Sequence, residues 1–261
     1  MNRLHLTFAC GSLTLSGTLD TAPGQTGLLI VSGGNETRSG AFSGQAHLAA
    51  KIAKAGFPVF RFDRRGVGDS EGENRGFRSS QRDIASALTS FRAMAPDLDR
   101  VFAFGNCDGA SALLLSRDLE LDGLILSNPW IEQDKEHHSD LSIPAAAIRK
   151  RYAQKLRNPS EVIRLLSGGV SLKKLAKGLT KSVGPRTSQT ELFEEMEAGV
   201  DAFNGPVRIL LATEDRTAQQ FDEAWKRTDI RIKRCGGAGH AYSEPDHAEW
   251  LKSRILDAMR T

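Results

Sequence analysis

Cys107, Asp215 and His240 follow one another along this chain in an order that could break an acyl bond. A cysteine nucleophile needs a base to take its proton and a carboxylate to orient that base. Cys107 is the middle of Gly105-Asn106-Cys107-Asp108-Gly109, between an apolar run, Val101 to Phe104, and a helical one, Ala110 to Ser116. That is the strand–turn–helix setting of the G-x-S-x-G elbow, with cysteine in place of serine. The glycines let a strand turn straight into a helix while the middle residue takes a strained conformation that pushes its side chain outward. Asp215 closes Thr213-Glu214-Asp215 after the apolar run Val207–Ala212, and Glu214 is its competitor for the orienting role. His240 ends the glycine-rich Gly236-Gly237-Ala238-Gly239. The other five histidines (5, 47, 137, 138 and 247) lack such a setting and read as surface or structural.

Acyl transfer also needs two donors for the developing oxyanion. One is the backbone N–H of Asp108, at the start of the helix after the elbow. The other falls in the loop after Leu28–Val31, where Ser32-Gly33-Gly34-Asn35 lets the backbone approach closely. Asn35 is assigned that donor, with Gly34 as the alternative; a plain glycine turn is the competing reading. Cys10 and Cys235 carry no such flanking signals and read as inert core thiols. Arg65–Ser70 is glycine-rich but lacks the Gly-Lys-Ser/Thr ending of a phosphate loop, so it reads as a turn bracing the site.

These residues need a scaffold. Leu4–Ala9 and Leu13–Asp20 alternate as an opening hairpin. Strands are then expected at Leu28–Val31, Pro58–Asp63, Val101–Phe104, Gly123–Ser127, Val207–Ala212 and Ile230–Lys233. Helices are expected at Ala46–Ala55, Arg82–Ala95, Ala110–Ser116, Gln219–Arg227 and Asp246–Met259. Strands alternating with helices mean a mostly parallel sheet covered on both faces. Asn35, Asp63, Cys107 and Asp215 all fall at carboxyl ends of strands, where such sheets bind ligands.

The alternation is interrupted over 130–205, read as a helical lid inserted into a core of 1–129 and 206–261, with helical patches at Ala145–Leu156 and Ser160–Leu166. Between Pro144 and Gln189 stand eleven Lys or Arg against one acid, Glu161, in a chain of net charge +3. Such a run is a solvated face balanced by acids elsewhere, such as Glu191 to Glu197, or a docking face for an anionic substrate, carrier or membrane leaflet.

Composition bounds the rest. The 261 residues are 39% hydrophobic and 26% charged, a globular balance. No apolar stretch approaches the roughly 20 residues of a bilayer span, and the first residues lack a signal-peptide core. Three scattered cysteines argue against a disulfide framework or zinc site and for a reducing, cytoplasmic setting. No cofactor or metal is implied, and the mild charge gives no reason to expect nucleic acid.

Together these motifs resemble the α/β-hydrolase superfamily, in its serine aminopeptidase-like and monoacylglycerol-lipase-like branch. The resemblance covers nearly the whole chain outside the insertion. It is most specific at Val31–Asn35 through Ser39-Gly40, Phe62-Asp63-Arg64-Arg65-Gly66-Val67-Gly68-Asp69-Ser70-Glu71-Gly72, the elbow, and Gly239-His240. It implies an α/β-hydrolase fold: a mostly parallel eight-stranded sheet with helices on both faces and a helical lid. The cysteine elbow and glycine-rich loop look most like the exosortase A system-associated hydrolase 1 group, which implies a bacterial cytosolic enzyme linked to exopolysaccharide and protein sorting. Two positions depart from the wider pattern: Gly33 stands where relatives usually carry the histidine of a His-Gly pair, and Cys107 replaces serine.

The expectation is a hydrolase that cleaves an ester or thioester of a small or carrier-bound acyl group through an acyl-Cys107 intermediate. Acyl transfer by the same triad is one alternative. A non-catalytic binding protein docking an acidic partner, or a membrane-surface protein using the basic segment, are the others.

Overall fold

A computed structural model describes residues 2–116, 118–131, 187–225 and 228–261. The chain divides into two compact units, Met1–Glu132 with Glu191–Thr261, and Gln133–Thr190. The second lies almost wholly outside the described residues, and with it most of the expected lid, its helical patches and its basic run.

The first unit is built on one eight-stranded sheet. Its strands are β1 (Arg3–Cys10), β2 (Leu13–Asp20), β3 (Thr26–Val31), β4 (Val59–Phe62), β5 (Arg100–Asn106), β6 (Gly123–Ser127), β7 (Val207–Ala212) and β8 (Ile232–Cys235). They lie side by side in the order β1-β2-β4-β3-β5-β6-β7-β8. The β1–β2 hairpin pairs antiparallel and β2 joins β4 antiparallel; every pairing from β4 to β8 is parallel. This is the fold that the resemblance implied.

The described helices are α1 (Gly44–Lys54), α2 (Gln81–Met94), α3 (Asp108–Leu115), α4 (Thr187–Ala202), α5 (Arg216–Ala224) and α6 (Pro245–Met259). They cover both faces, which explains why β3 reads as a continuous apolar run. Successive side chains of a strand point to opposite faces, so both faces need apolar residues. Leu29 and Val31 pack in one core with Ile84 and Phe91 of α2 and Leu113 of α3. Leu28 and Ile30 pack in the other with Leu48 and Ile52 of α1 and Ile255 of α6.

Three elements differ from expectation. Strand β8 starts at Ile232 rather than Ile230, leaving Ile230 exposed. Helix α5 begins three residues before Gln219, because the Asp215 side chain caps it by accepting the Ala218 N–H at 3.1 Å. Helix α4 was not foreseen: the stretch read as an acidic balancing surface is amphipathic, with Leu192, Met196 and Val200 buried in the core. Residues 191–202 of the expected insertion therefore pack on the sheet unit. Among the described residues, no helix is long and apolar enough to cross a membrane.

Candidate active site

Strand β5 passes into α3 through a single residue, Cys107, held at φ 57°, ψ −128°. A non-glycine residue there carries strain of about 1–3 kcal/mol, and its surroundings must hold it. The Cys107 N–H donates to Ser127 O at 3.0 Å, and its carbonyl accepts from Ala110 at 3.1 Å and Trp130 at 3.3 Å. Glycine on either side is a steric need: a Cβ at Gly109 would collide with Val31 O, and one at Gly105 would meet the Gly109 carbonyl at 2.6 Å. The thiol is thus pinned at the N-terminus of α3, whose free N–H groups favour developing negative charge.

The ends of β7 and β8 deliver the partners. Asp215, buried at the N-cap of α5, lies with Oδ2 3.0 Å from His240 Nδ1. Its competitor Glu214 is exposed, its N–H donating to Ala238 O at 2.9 Å. The half-buried His240 ring also interacts with the Cys107 side chain, which favours its charged form. Asp215 and then Cys107 stabilise its charged form against the opposing cost of burial, and its pKa is pushed up to about 10. Cys107, Asp215 and His240 are therefore brought together as the sequence suggested. Cys10 and Cys235 are buried, and burial pushes the Cys235 thiol up.

Two asparagines behind this group carried no sequence signal beyond their places beside the elbow and at the end of β6. The Nδ2 of Asn106 lies 3.4 Å from His240 Nε2, and Asn106 Oδ1 accepts from Asn128 Nδ2 at 3.0 Å. Asn128 sits in the left-handed region at φ 45°, a conformation asparagine tolerates better than most residues. Its Oδ1 accepts the Ala212 N–H at 2.9 Å.

The opposite wall is the loop after β3. A Cβ at Gly33 would fall 2.5 Å from Asn106 O and 3.0 Å from the Cys107 Cβ, so the elbow leaves no room for a side chain at this position. The Gly34 N–H, the alternative oxyanion donor, is already committed to Asp108 Oδ1 at 2.6 Å. Arg64, buried, closes a clamp around this contact. Its Nη2 donates to Gly34 O at 2.6 Å and to Asp108 Oδ1 at 3.2 Å, and its Nη1 donates to Ser80 Oγ at 3.1 Å. The side chain of Asn35 accepts from Asn74 Nδ2 at 2.7 Å.

The motif around Arg65–Ser70 is the brace that the sequence suggested. Fully buried Asp63 accepts the N–H groups of Arg38 at 2.5 Å and Asp69 at 3.1 Å and pairs with the Arg38 guanidinium. Arg65 ties the turn to Asp83 of α2. Glu36, which sequence reading passed over, completes this wall. Burial pushes its carboxyl up, while the His240 charge and the Ala41 N–H oppose that rise. Among the described residues, no group of three or more His, Cys, Asp or Glu is placed to hold a metal ion.

Comparison with known proteins agrees with this architecture. The family described as serine aminopeptidase, S33, a hydrolase family, matches residues 25–244. The sequence matches no curated protein. Among solved structures, the α/β hydrolase GrgF from Penicillium sp. sh18 is similar at TM-score 0.66 and 17% identity, over 100% of this chain and 98% of that one. The esterase Pf2001 of Pyrococcus furiosus is similar at 0.62 and 16%, over 99% and 90%. Est1E from Butyrivibrio proteoclasticus, described with ferulic acid bound, is similar at 0.60 and 15%, over 98% and 100%. At these identities the likeness is one of fold.

Proposed function

This chain belongs to the serine aminopeptidase, S33, family of α/β hydrolases, and from that premise we propose that it cleaves an ester or thioester with Cys107 as nucleophile. The observation that carries the reading is the strained Cys107 at the head of α3, which interacts with an imidazole that Asp215 holds at 3.0 Å.

The steps follow from the atoms. Cys107 Sγ attacks the acyl carbonyl carbon, its proton passes to His240 Nε2, and the carbonyl electron pair moves onto oxygen. Asp215 holds the ring by Nδ1 and stabilises the imidazolium without taking the proton itself. The backbone N–H groups of Asp108 and Asn35 receive the oxyanion. Its collapse breaks the bond to the alcohol or thiol, which leaves with the proton from His240. The acyl-Cys107 thioester remains. Water then loses a proton to His240 and attacks the same carbon; collapse releases the carboxylic acid and restores the thiol.

Acyl transfer is a second reading favoured by the cysteine itself, since a thioester reacts with amines and thiols as well as water. The resemblance at the elbow and glycine loop further supports a bacterial, cytoplasmic role in exosortase-linked exopolysaccharide metabolism. An anionic carrier or surface would meet the basic run of the insertion, which supports a carrier-bound acyl donor.

Intact and peptide mass spectrometry with p-nitrophenyl acetate tests the core of this reading. An acetyl group on Cys107 in wild type, absent in Cys107→Ala, is expected, with accumulation in His240→Ala slowed or lost. Nitrophenol release unchanged in Cys107→Ala would overturn it. Added ethanolamine separates the two fates: acetylated amine in place of acetate would favour transfer.

A further inference from the structure

We propose that Asn106 and Asn128 form a hydrogen-bond relay of fixed polarity that presents an N–H donor to His240 Nε2 and so tunes this ring as a base. Both are positioning residues, and the inference rests on the reading of His240 as the base for Cys107.

The polarity follows from groups that cannot change role. The Ala212 backbone N–H can only donate, and it meets Asn128 Oδ1 at 2.9 Å. The NH2 of Asn128 therefore faces the other way, toward the His240 carbonyl at 3.3 Å, which can only accept, and Asn106 Oδ1 at 3.0 Å. With its oxygen so engaged, Asn106 must turn its own NH2 toward His240, 3.5 Å from the carbonyl and 3.4 Å from Nε2. Each amide is oriented by the one before it, and the first by the sheet. The Tyr242 hydroxyl, itself approached by Ser127 Oγ at 3.2 Å, donates to Asn128 Oδ1 at 3.4 Å and reinforces the same direction.

A donor aimed at Nε2 favours the ring with a lone pair there and opposes an N–H. The surroundings otherwise pull the opposite way. Asp215 at the end of β7 and Cys107 at the elbow favour the imidazolium, and Glu36 in the loop after β3 faces the ring with a carboxyl of its own. Asp108 at the head of α3 is paired with Arg64. Tyr242, beyond His240 in its own loop, has its hydroxyl pushed up by burial and directed at Asn128. Asn106 is thus the neutral counterweight. It matters most once Cys107 is acylated: the sulfur then carries no charge, and the ring must accept a proton from water.

The test is an NMR titration of His240 in the full chain, in a Cys107→Ser background that removes the thiol. Asn106→Leu removes the donor without adding charge and should raise the His240 pKa by about half to one pH unit, the size of one modest hydrogen bond. Asn128→Asp keeps the acceptor for Ala212 but offers Asn106 only oxygen, so the Asn106 amide turns over and its Oδ1 faces Nε2. That variant should raise the pKa further, and by more with Asn106 present than in the Asn106→Leu background, where only the added charge acts.

In the thiol enzyme, Asn106→Leu should keep acetylation by p-nitrophenyl acetate while deacylation moves to higher pH. Equal shifts from Asn128→Asp in both backgrounds, or no shift in folded Asn106→Leu, would overturn the relay. Asn106→Ser serves as a second probe where leucine unfolds the chain. A pKa that moves without any acetyl-Cys107 would sink the proposed function and leave the relay standing. Acetylation with an unmoved pKa would do the reverse.

Discussion

Two walls of unlike construction meet at Cys107. The wall from β3 and β4 is held by charge: Arg64 clamps Gly34 and Asp108, and Asp63 grips Arg38. The wall from β6, β7 and β8 is held by neutral amides around one imidazole and one carboxylate. The difference teaches a division of labour. Ion pairs with several hydrogen bonds fix backbone donors in place, whereas a site that must move a proton is served by groups whose own charge does not change. If that division is right, damage to the two walls should show up in different measurements.

His240→Ala should have the largest effect, cutting turnover of p-nitrophenyl acetate on the order of a thousandfold or more, with only a modest fall in melting temperature because Asp215 keeps the Ala218 N–H when it loses the ring. A comparable loss of stability would break the comparison. Asp215→Asn comes next. Asparagine still caps α5, so the fold should hold. Turnover should drop on the order of a hundredfold or more, and the His240 pKa should fall from about 10 toward its ordinary 6.5.

Arg64→Met is the opposite kind of lesion. It strands the carboxylate of Asp108 beside Gly34, at a stability cost of about 2 kcal/mol in denaturant melts, less than for a fully buried pair because Asp108 keeps some solvent. Arg64→Met/Asp108→Asn should recover part of that loss. In both, the His240 titration should stay where it is; a moved titration would show that the walls are not separate.

The smallest effect is in pH. Because the folded pKa of His240 is raised to about 10, its stabilising contribution is complete below about 6.5 and lost as pH rises through about 10. Wild type should therefore lose stability over that window more steeply than His240→Gln, by a modest amount since the ring is half exposed.

The two walls were also unequally legible. Cys107, Asp215 and His240 could be read because glycines flank the elbow and precede the histidine, and because strand ends mark where a carboxylate can emerge. Asp215 is preferred to Glu214 in sequence because it closes the strand-end motif; its cap on Ala218, which starts α5 three residues early, shows only in the structure. The amide relay was silent, since Asn106 is the unconstrained letter of the elbow motif and Asn128 is meaningful only through partners distant in sequence. Gly34 shows a different blind spot. Its N–H looked free for an oxyanion, but sequence spacing gave no hint that the Asp108 side chain folds back onto it. Helix α4 was hidden because its glutamates masked the apolar spacing of Leu192, Met196 and Val200.

One separation in the chain has a bearing on how the protein is made. The amide of Asn106 and the ring of His240 meet across 134 residues, and Asp215 lies between them in sequence. During synthesis the elbow emerges first. Until β7 and β8 pair onto β6, Cys107 has neither base nor orienting carboxylate beside it. The order of the strands thus works as a safety catch: the thiol reaches its armed setting only when the last edge of the sheet is in place.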